Sequence, residues 1–238
     1  MTQWAMKRFW QTASVEDVEG GFTILLDGRP VRTPAKRAFL LPTRAMAEVA
    51  AGEWEAQERE IAPLTMPVTR AANAAIDKVA IQHAEVAAMI AAYAESDLLC
   101  HRADRPMELA ARQAEAWDPL LDWLREALGA PLEPTSGVIP RAQPAESLAR
   151  LQARVASLDA FELTALHDLV ALSGSLVIGL AAMEEVSPIE FLWDISRIDE
   201  TWQQEQWGVD SEAAAVAAAR RRDFLQARRF LDLTRASR

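Results

Sequence analysis

Residues 160–183 constrain the fold more than any other stretch. Phe161, Leu163, Leu166, Leu169, Val170, Leu172, Leu176, Val177, Ile178 and Leu180 make a helix through this region apolar nearly all round. Such a helix has no face to give to water, so it must lie among other helices. Its most apolar part, Leu169–Met183, is interrupted by Ser173, Gly174 and Ser175 and is too short to cross a bilayer. It reads as a central core helix, and no membrane insertion is expected. Gly174 and Gly179 would let a neighbouring helix approach closely, at about 1 kcal/mol each relative to alanine.

Most of the chain supplies those neighbours. Thr43 can cap a helix running to about Glu58, with Met46, Val49, Ala50 and Trp54 on one side. Apolar periodicity places further helices at about 66–79, 81–95, 107–128, 145–158, 188–207 and 210–232. Breaks fall at Asp104–Pro106, at Glu184–Pro188, and across 129–144, a stretch with four prolines and two glycines. Within 107–128, Trp117-Asp118-Pro119 puts a proline that either starts the helix proper or kinks it. Trp117 and Trp123, six apart, read first as packing anchors.

The first 42 residues differ. Phe22–Leu26 is an apolar, β-prone run followed by Asp27-Gly28, the strongest short hairpin signal. Arg29–Thr33 is the return strand, confined to an edge by Pro30. Arg8–Ala13 and Ala38–Leu41 are further strand candidates, and Gly20-Gly21 marks a turn. About forty residues of antiparallel sheet are too few to stand alone. The expected class is therefore α+β and mostly α: a small antiparallel β subdomain, 1–42, packed on a multi-helical domain, 43–238.

Charge narrows the partners. The net charge is −10, but the first 45 residues carry +3 and the last twenty +5, which leaves −18 between them. An acidic body argues against nucleic acid. The arginines at 220–222 and 228–229 read first as a solvated helix end that complements the macrodipole. Cys100 is the single cysteine, so no internal disulfide forms and a reducing compartment fits. Met1–Trp10 carries no apolar signal-type run.

Familiar chemistry is missing. There is no phosphate-binding glycine loop, no nucleophile elbow, no H-E-x-x-H and no C-x-x-C. His83, His101, His167 and Cys100 are too scattered for a structural zinc site. Asp97–Arg102 alone clusters nucleophile, base and acid types. Adjacent Cys100 and His101 point to different sides of an element, so they form no dyad.

The stretch Ser187–Glu212 is the strongest candidate for function. Ser187, Pro188 and Glu190 resemble a capping box, and Gly208 can end the helix. Phe191, Ile195, Ile198 and Trp202 form one expected buried stripe. Ile189, Trp193 and Trp207 form another on the opposite side, with Glu200 seven residues from each tryptophan. A helix apolar on two faces is either enclosed or presents one face to a partner. Burial of both tryptophans with Glu200 in an ion pair would make the face architectural.

Read together, these segments resemble the ATP synthase F-one complex assembly factor 2 family. The match runs from Gly20-Gly21-Phe22, Asp27-Gly28 and Thr33-Pro34, through Glu53-Trp54, Gln57 and Ile61, to Met66, Thr69, Asn73 and Asp77. It continues with Asp97, Cys100 and Arg102, then Trp117-Asp118-Pro119 and Trp123, and ends with Glu200, Gln203, Trp207 and Gly208. Each segment alone is weak; their joint order is specific. The resemblance implies a chaperone without enzyme activity; neither a metal nor a cofactor is expected. Its partner would be the unassembled α subunit of the F-type ATP synthase, kept from aggregating and released into α3β3. It implies that the family's acidic functional residue falls at Glu200 or at its neighbour Asp199. With Trp193, Gln203 and Trp207 these are the expected client-binding residues. Trp54, Asp97, Arg102, Trp117 and Asp118 are expected as family-motif positions. A monomer in a bacterial cytoplasm is expected, with eukaryotic relatives in the mitochondrial matrix. Two readings compete: an enzyme built on Asp97–Arg102 with Asp118 and Glu200, and a helical scaffold for a different protein.

Overall fold

A computed structural model describes residues 7–137 and 141–236. The chain divides into two compact units. One comprises 7–83, 159–165 and 229–236; the other comprises 84–137, 141–158 and 166–228. The class is α+β and mostly α, as the sequence implies.

In the first unit, strands β1 (Ala13–Val18), β2 (Gly21–Leu26) and β3 (Arg29–Pro30) form one antiparallel sheet in the order β1-β2-β3. Asp27 and Gly28 both have positive φ (48° and 78°), the conformation a two-residue primed turn requires. The Asp27 carboxylate accepts from the Gln11 and Thr12 amides, and these hydrogen bonds hold its pKa below the ordinary value. Gly21 lies so close to the Leu41 carbonyl that a Cβ would be 2.3 Å from the oxygen. Helix α1 (Arg44–Glu55) is capped by the Thr43 hydroxyl, which accepts from the Met46 amide at 3.1 Å. It buries Met46, Ala47 and Ala50 in the core that also holds Ile24, Phe39 and Leu41. Glu53 caps the next helix, α2 (Pro67–Ala74), by accepting from the Val68 and Thr69 amides, both at 2.8 Å.

Two strand expectations need correction. The first strand is Ala13–Val18, not Arg8–Ala13. Residues 8–11 instead wrap the Arg8 guanidinium, which donates to the Trp10 and Gln11 carbonyls (both 3.0 Å) and pairs with Glu55 at 3.1 Å. The true β1 was hidden because only Ala13 and Val15, on one face of this edge strand, are even partly buried, too short an alternation to mark a strand. Ala38–Leu41 contributes only isolated bridges, Arg32 to Ala38 and Phe22 to Leu41.

The second unit holds α3 (His83–Ala91) from Ala84 onward, and a two-stranded parallel pair, β4 (His101–Arg102) with β5 (Thr135–Ser136). The long helix α4 (Met107–Leu128) runs through Pro119. Helix α5 (Ala145–Ala156) follows, then α6 (Ala160–Ser173), which lies in this unit from Leu166 onward. Next come α7 (Leu176–Met183), α8 (Ile189–Ile195) and α9 (Ile198–Trp207), and α10 (Ser211–Arg235) as far as Arg228.

Every residue of α7 is buried, as an all-round apolar helix requires. The expected helix 160–183 is broken, however, at Gly174 (φ +79°) and Ser175, whose hydroxyl caps α7 by accepting from the Ile178 amide at 3.0 Å. Gly179 does allow close approach: a Cβ there would lie 2.6 Å from Val170 Cγ2. Gly174 has no neighbour that close and serves the turn instead.

The expected helix 188–207 is also two helices. The Ser196 hydroxyl donates to the Trp193 carbonyl at 2.6 Å, and Arg197 leaves helical geometry at φ −118°, ψ 19°. A hydroxyl that bonds its own backbone competes with helix continuation. The residue at the N-cap of α8 is Pro188 rather than Ser187, and no side chain caps it.

Candidate functional site

Helix α4 holds the end of α8 at one point and α9 at two. The Trp117 indole donates to the Ile195 carbonyl at 2.9 Å, where α8 ends. Gln113 Nε2 donates to Asp199 Oδ1 at 2.6 Å, while its Oε1 accepts from the Ala103 amide at 2.8 Å. Arg112 Nη1 donates to both oxygens of Glu205, at 2.9 and 2.8 Å. Ile198, Asp199, Trp202 and Glu205 therefore define the held face, at i, i+1, i+4 and i+7. Glu200, Gln203 and Trp207, at i, i+3 and i+7, share the opposite, outward face.

The expected client-binding residues are thereby sorted. Trp207 is 80% exposed and Gln203 is exposed. Glu200 is partly exposed and accepts from Arg197 at 2.8 Å. Asp199 points inward to Gln113. Trp193 is a correction: it is 4% exposed and packs on Phe224, with ring centroids 5.6 Å apart. The break at 196–197 shifts the helical phase, so Trp193 and Trp207 share no face. Ile195 and Ile198 are buried as expected, but Phe191 is exposed.

The family-motif residues form braces. The buried Asp97 carboxylate receives the Ser175 hydroxyl at 2.7 Å, the Leu99 amide at 3.0 Å and the Val177 amide at 3.1 Å. Burial, only partly offset by these donors, raises its pKa. Arg102 donates to the Leu99 carbonyl at 2.8 Å and to Asp118 at 2.7 Å, and its guanidinium lies 5.2 Å from the centre of the fully buried Trp117 ring. Trp54 makes an edge contact with Trp10, centroids 5.2 Å apart. In the Asp97–Arg102 segment, the Asp97 carboxylate is taken up by its three donors and Arg102 by Asp118 and the Leu99 carbonyl. Cys100 is buried, and burial together with the Asp97 carboxylate pushes its thiol up to about 12, so it is protonated at neutral pH.

Sequence reading missed Gln113, the buried polar residue that sets the position of Asp199. Its signal is a glutamine four residues before Trp117 on an otherwise apolar stripe. Also missed was an open groove of about 380 Å³ lined by Arg197, Ala213, Val216, Ala217 and Arg220, with Asp210 and Glu212. None of the described helices is long and apolar enough to cross a membrane.

The comparisons agree with this architecture. Residues 7–125 match the model of the ATP12 chaperone protein family. The mitochondrial protein atp12 of Schizosaccharomyces pombe is 22% identical over 228 residues, covering 91% of this chain and 78% of that one. The crystal structure of Atp12 from Paracoccus denitrificans superposes with a TM-score of 0.94 at 50% identity, covering 98% of this chain and all of that one. A crystal structure of an Agrobacterium tumefaciens protein gives 0.91 at 42% identity, covering 95% and 85% respectively. The fold and its comparisons define a chaperone. The chain belongs to the ATP12 chaperone family, and its role is in ATP synthase assembly.

Proposed function

We propose that this chain binds the unassembled α subunit of the F-type ATP synthase, keeps it from aggregating and yields it for α3β3 assembly. An unassembled subunit exposes apolar surface meant for its neighbours, which is an aggregation hazard. A chaperone needs an apolar contact of moderate affinity with a polar rim, so that the true partner can displace it. The observation that carries this reading is the outward face of α9. Trp207 is 80% exposed there beside Gln203 and Glu200, on a helix whose other face is locked to α4. Tryptophan is among the residues most enriched at binding hot spots. Asp199 supports the site by positioning α9, and Trp193 by packing on Phe224 and against the Arg197 guanidinium at the start of α9.

No catalytic step is part of this proposal. The sealed Asp97 and the protonated Cys100 thiol support that reading. We place the chain in a bacterial cytoplasm as a monomer; the 50% identity to the Paracoccus protein supports a bacterial setting.

The test is light scattering of denatured α subunit diluted into buffer with and without this protein, with a β-subunit dilution as control. Suppression for α but not β, weakened by Glu200→Lys without loss of fold, supports client and site together. Suppression indifferent to Glu200→Lys keeps the client and moves the site. Absence of both suppression and complex removes the α-subunit reading.

A further inference from the structure

The groove beside α9 has apolar character that the fold leaves uncovered. Its floor is Ala213, Val216 and Ala217 on the first half of α10, and Val216 is 55% exposed. Val209 (68% exposed) and Trp207 continue the apolar surface along the chain that leads into it. The second half of α10 behaves differently: Phe224 and Ala227 are buried in the unit's own core. In the first half, 211–219, no residue is buried among the described residues, so its apolar stripe stays open to solvent over most of its length.

Charge decides what fits. Of the cations lining the groove, Arg197 is paired with Glu200 at 2.8 Å, whereas Arg220 donates to the neutral Leu172 carbonyl at 3.2 Å. Arg221 and Arg222 lie roughly 140° and 120° round the helix from Val216, away from the groove. Asp210 and Glu212 have no cationic partner among the described residues; Asp210 Oδ1 accepts only the Glu212 and Ala213 amides, at 2.8 and 3.4 Å. The carbonyl bond leaves the Arg220 charge in place, so Asp210 and Glu212 stand against Arg220 alone and the groove keeps a small negative excess.

Length decides who fits. The free part of α10 spans nine residues, roughly 13 Å. A second copy pairing through that stretch alone would bury far less than the roughly 1,200 Å² of a stable interface. A longer partner helix is not so limited, because it can run past Val209 onto Trp207 and the outward face of α9.

We propose that the groove formed by the first half of α10 and Arg197, at the start of α9, docks a basic amphipathic helix of the client. Val216, Val209 and Trp207 are the apolar anchors, and Asp210 and Glu212 face Lys or Arg side chains of the client helix. The small Ala213 and Ala217 side chains let the two helix axes come close. This is recognition of a helix in a groove, read through anchors at helical spacing. It rests on the α-subunit reading and extends the contact from α9 to α10.

The test uses the full chain and purified α subunit of a bacterial F-type ATP synthase. A photo-cross-linking amino acid is placed at Val216, at Val209 and, as a control, at exposed Leu64. Affinity is measured for Val216→Asp and Glu212→Lys, with thermal unfolding to confirm their fold. Adducts are expected from 216 and 209 but not from 64. They should map to a client segment with apolar residues every three or four positions and Lys or Arg among them. Val216→Asp should weaken binding about tenfold or more. Glu212→Lys should weaken it and flatten its salt dependence. If α subunit is held and Glu200→Lys weakens the complex, yet 216 gives no adduct and Val216→Asp binds as the parent does, the groove assignment is overturned and the chaperone reading stands. An adduct between two copies of this chain, or to an acidic client segment, overturns it as well. Failure to hold α subunit at all removes both.

Discussion

The indole N–H of Trp117 donates to the main-chain carbonyl of Ile195 at 2.9 Å, across 78 residues of sequence. The bond is buried, and it sits where α8 gives way to α9. It satisfies a carbonyl that the broken helix leaves open and fixes where α9 begins. Trp117→Phe keeps most of the packing and removes only the donor. The expected loss is about 1–3 kcal/mol in urea unfolding, because the carbonyl is left buried without a partner. An unchanged midpoint would show that the bond does not anchor α9.

Trp207→Ala separates binding from folding. The side chain is 80% exposed, so its removal should shift stability by no more than about 0.5 kcal/mol. Retention of α subunit in a pull-down should nevertheless fall. A large drop in melting temperature would instead make Trp207 a packing residue.

Gly179→Ala tests how tightly α7 is enclosed. The added Cβ would lie 2.6 Å from Val170 Cγ2 and 3.0 Å from Leu166 Cδ1. Helix propensity favours alanine by roughly 1 kcal/mol, and overpacking opposes it by roughly 1–3 kcal/mol. Net destabilisation in a chemical melt is expected; a gain would mean that the core yields more easily than its packing suggests.

Asp97 links stability to pH. Its folded pKa is raised above the ordinary 3.8, with burial as the leading cause. Between 3.8 and the folded pKa the native chain therefore binds a proton that the unfolded chain does not, so this group's contribution grows as pH falls through that window. Asp97→Asn cannot titrate, and its amide nitrogen must face a donor, either the Ser175 hydroxyl or the Val177 amide. The variant should be less stable by about 1–3 kcal/mol at neutral pH. Its deficit relative to the parent should widen on acidification, as followed by denaturant titration at stepped pH. A deficit that narrows would mean the native carboxylate is the better-stabilised form.

Local chemistry in the sequence carries a large part of this molecule. The bounds of α4, the Thr43 cap, the Asp27-Gly28 turn and the enclosure of α7 all follow from periodicity and turn residues a few positions apart. The ordered motifs also carry the family. Tertiary structure alone decided the orientation of the candidate site. A tryptophan stripe on a helical wheel looks the same whether it meets a core or water. The break at Ser196–Arg197 shows no glycine or proline, and it rotates Trp193 onto Phe224 while leaving Trp207 outside. Which side of α9 faces inward was settled by Arg112, Gln113 and Trp117, more than seventy residues away. Hydrogen bonds of that span leave no periodic trace in the chain, because each partner is chosen by the position of a whole helix and not by its neighbours in sequence.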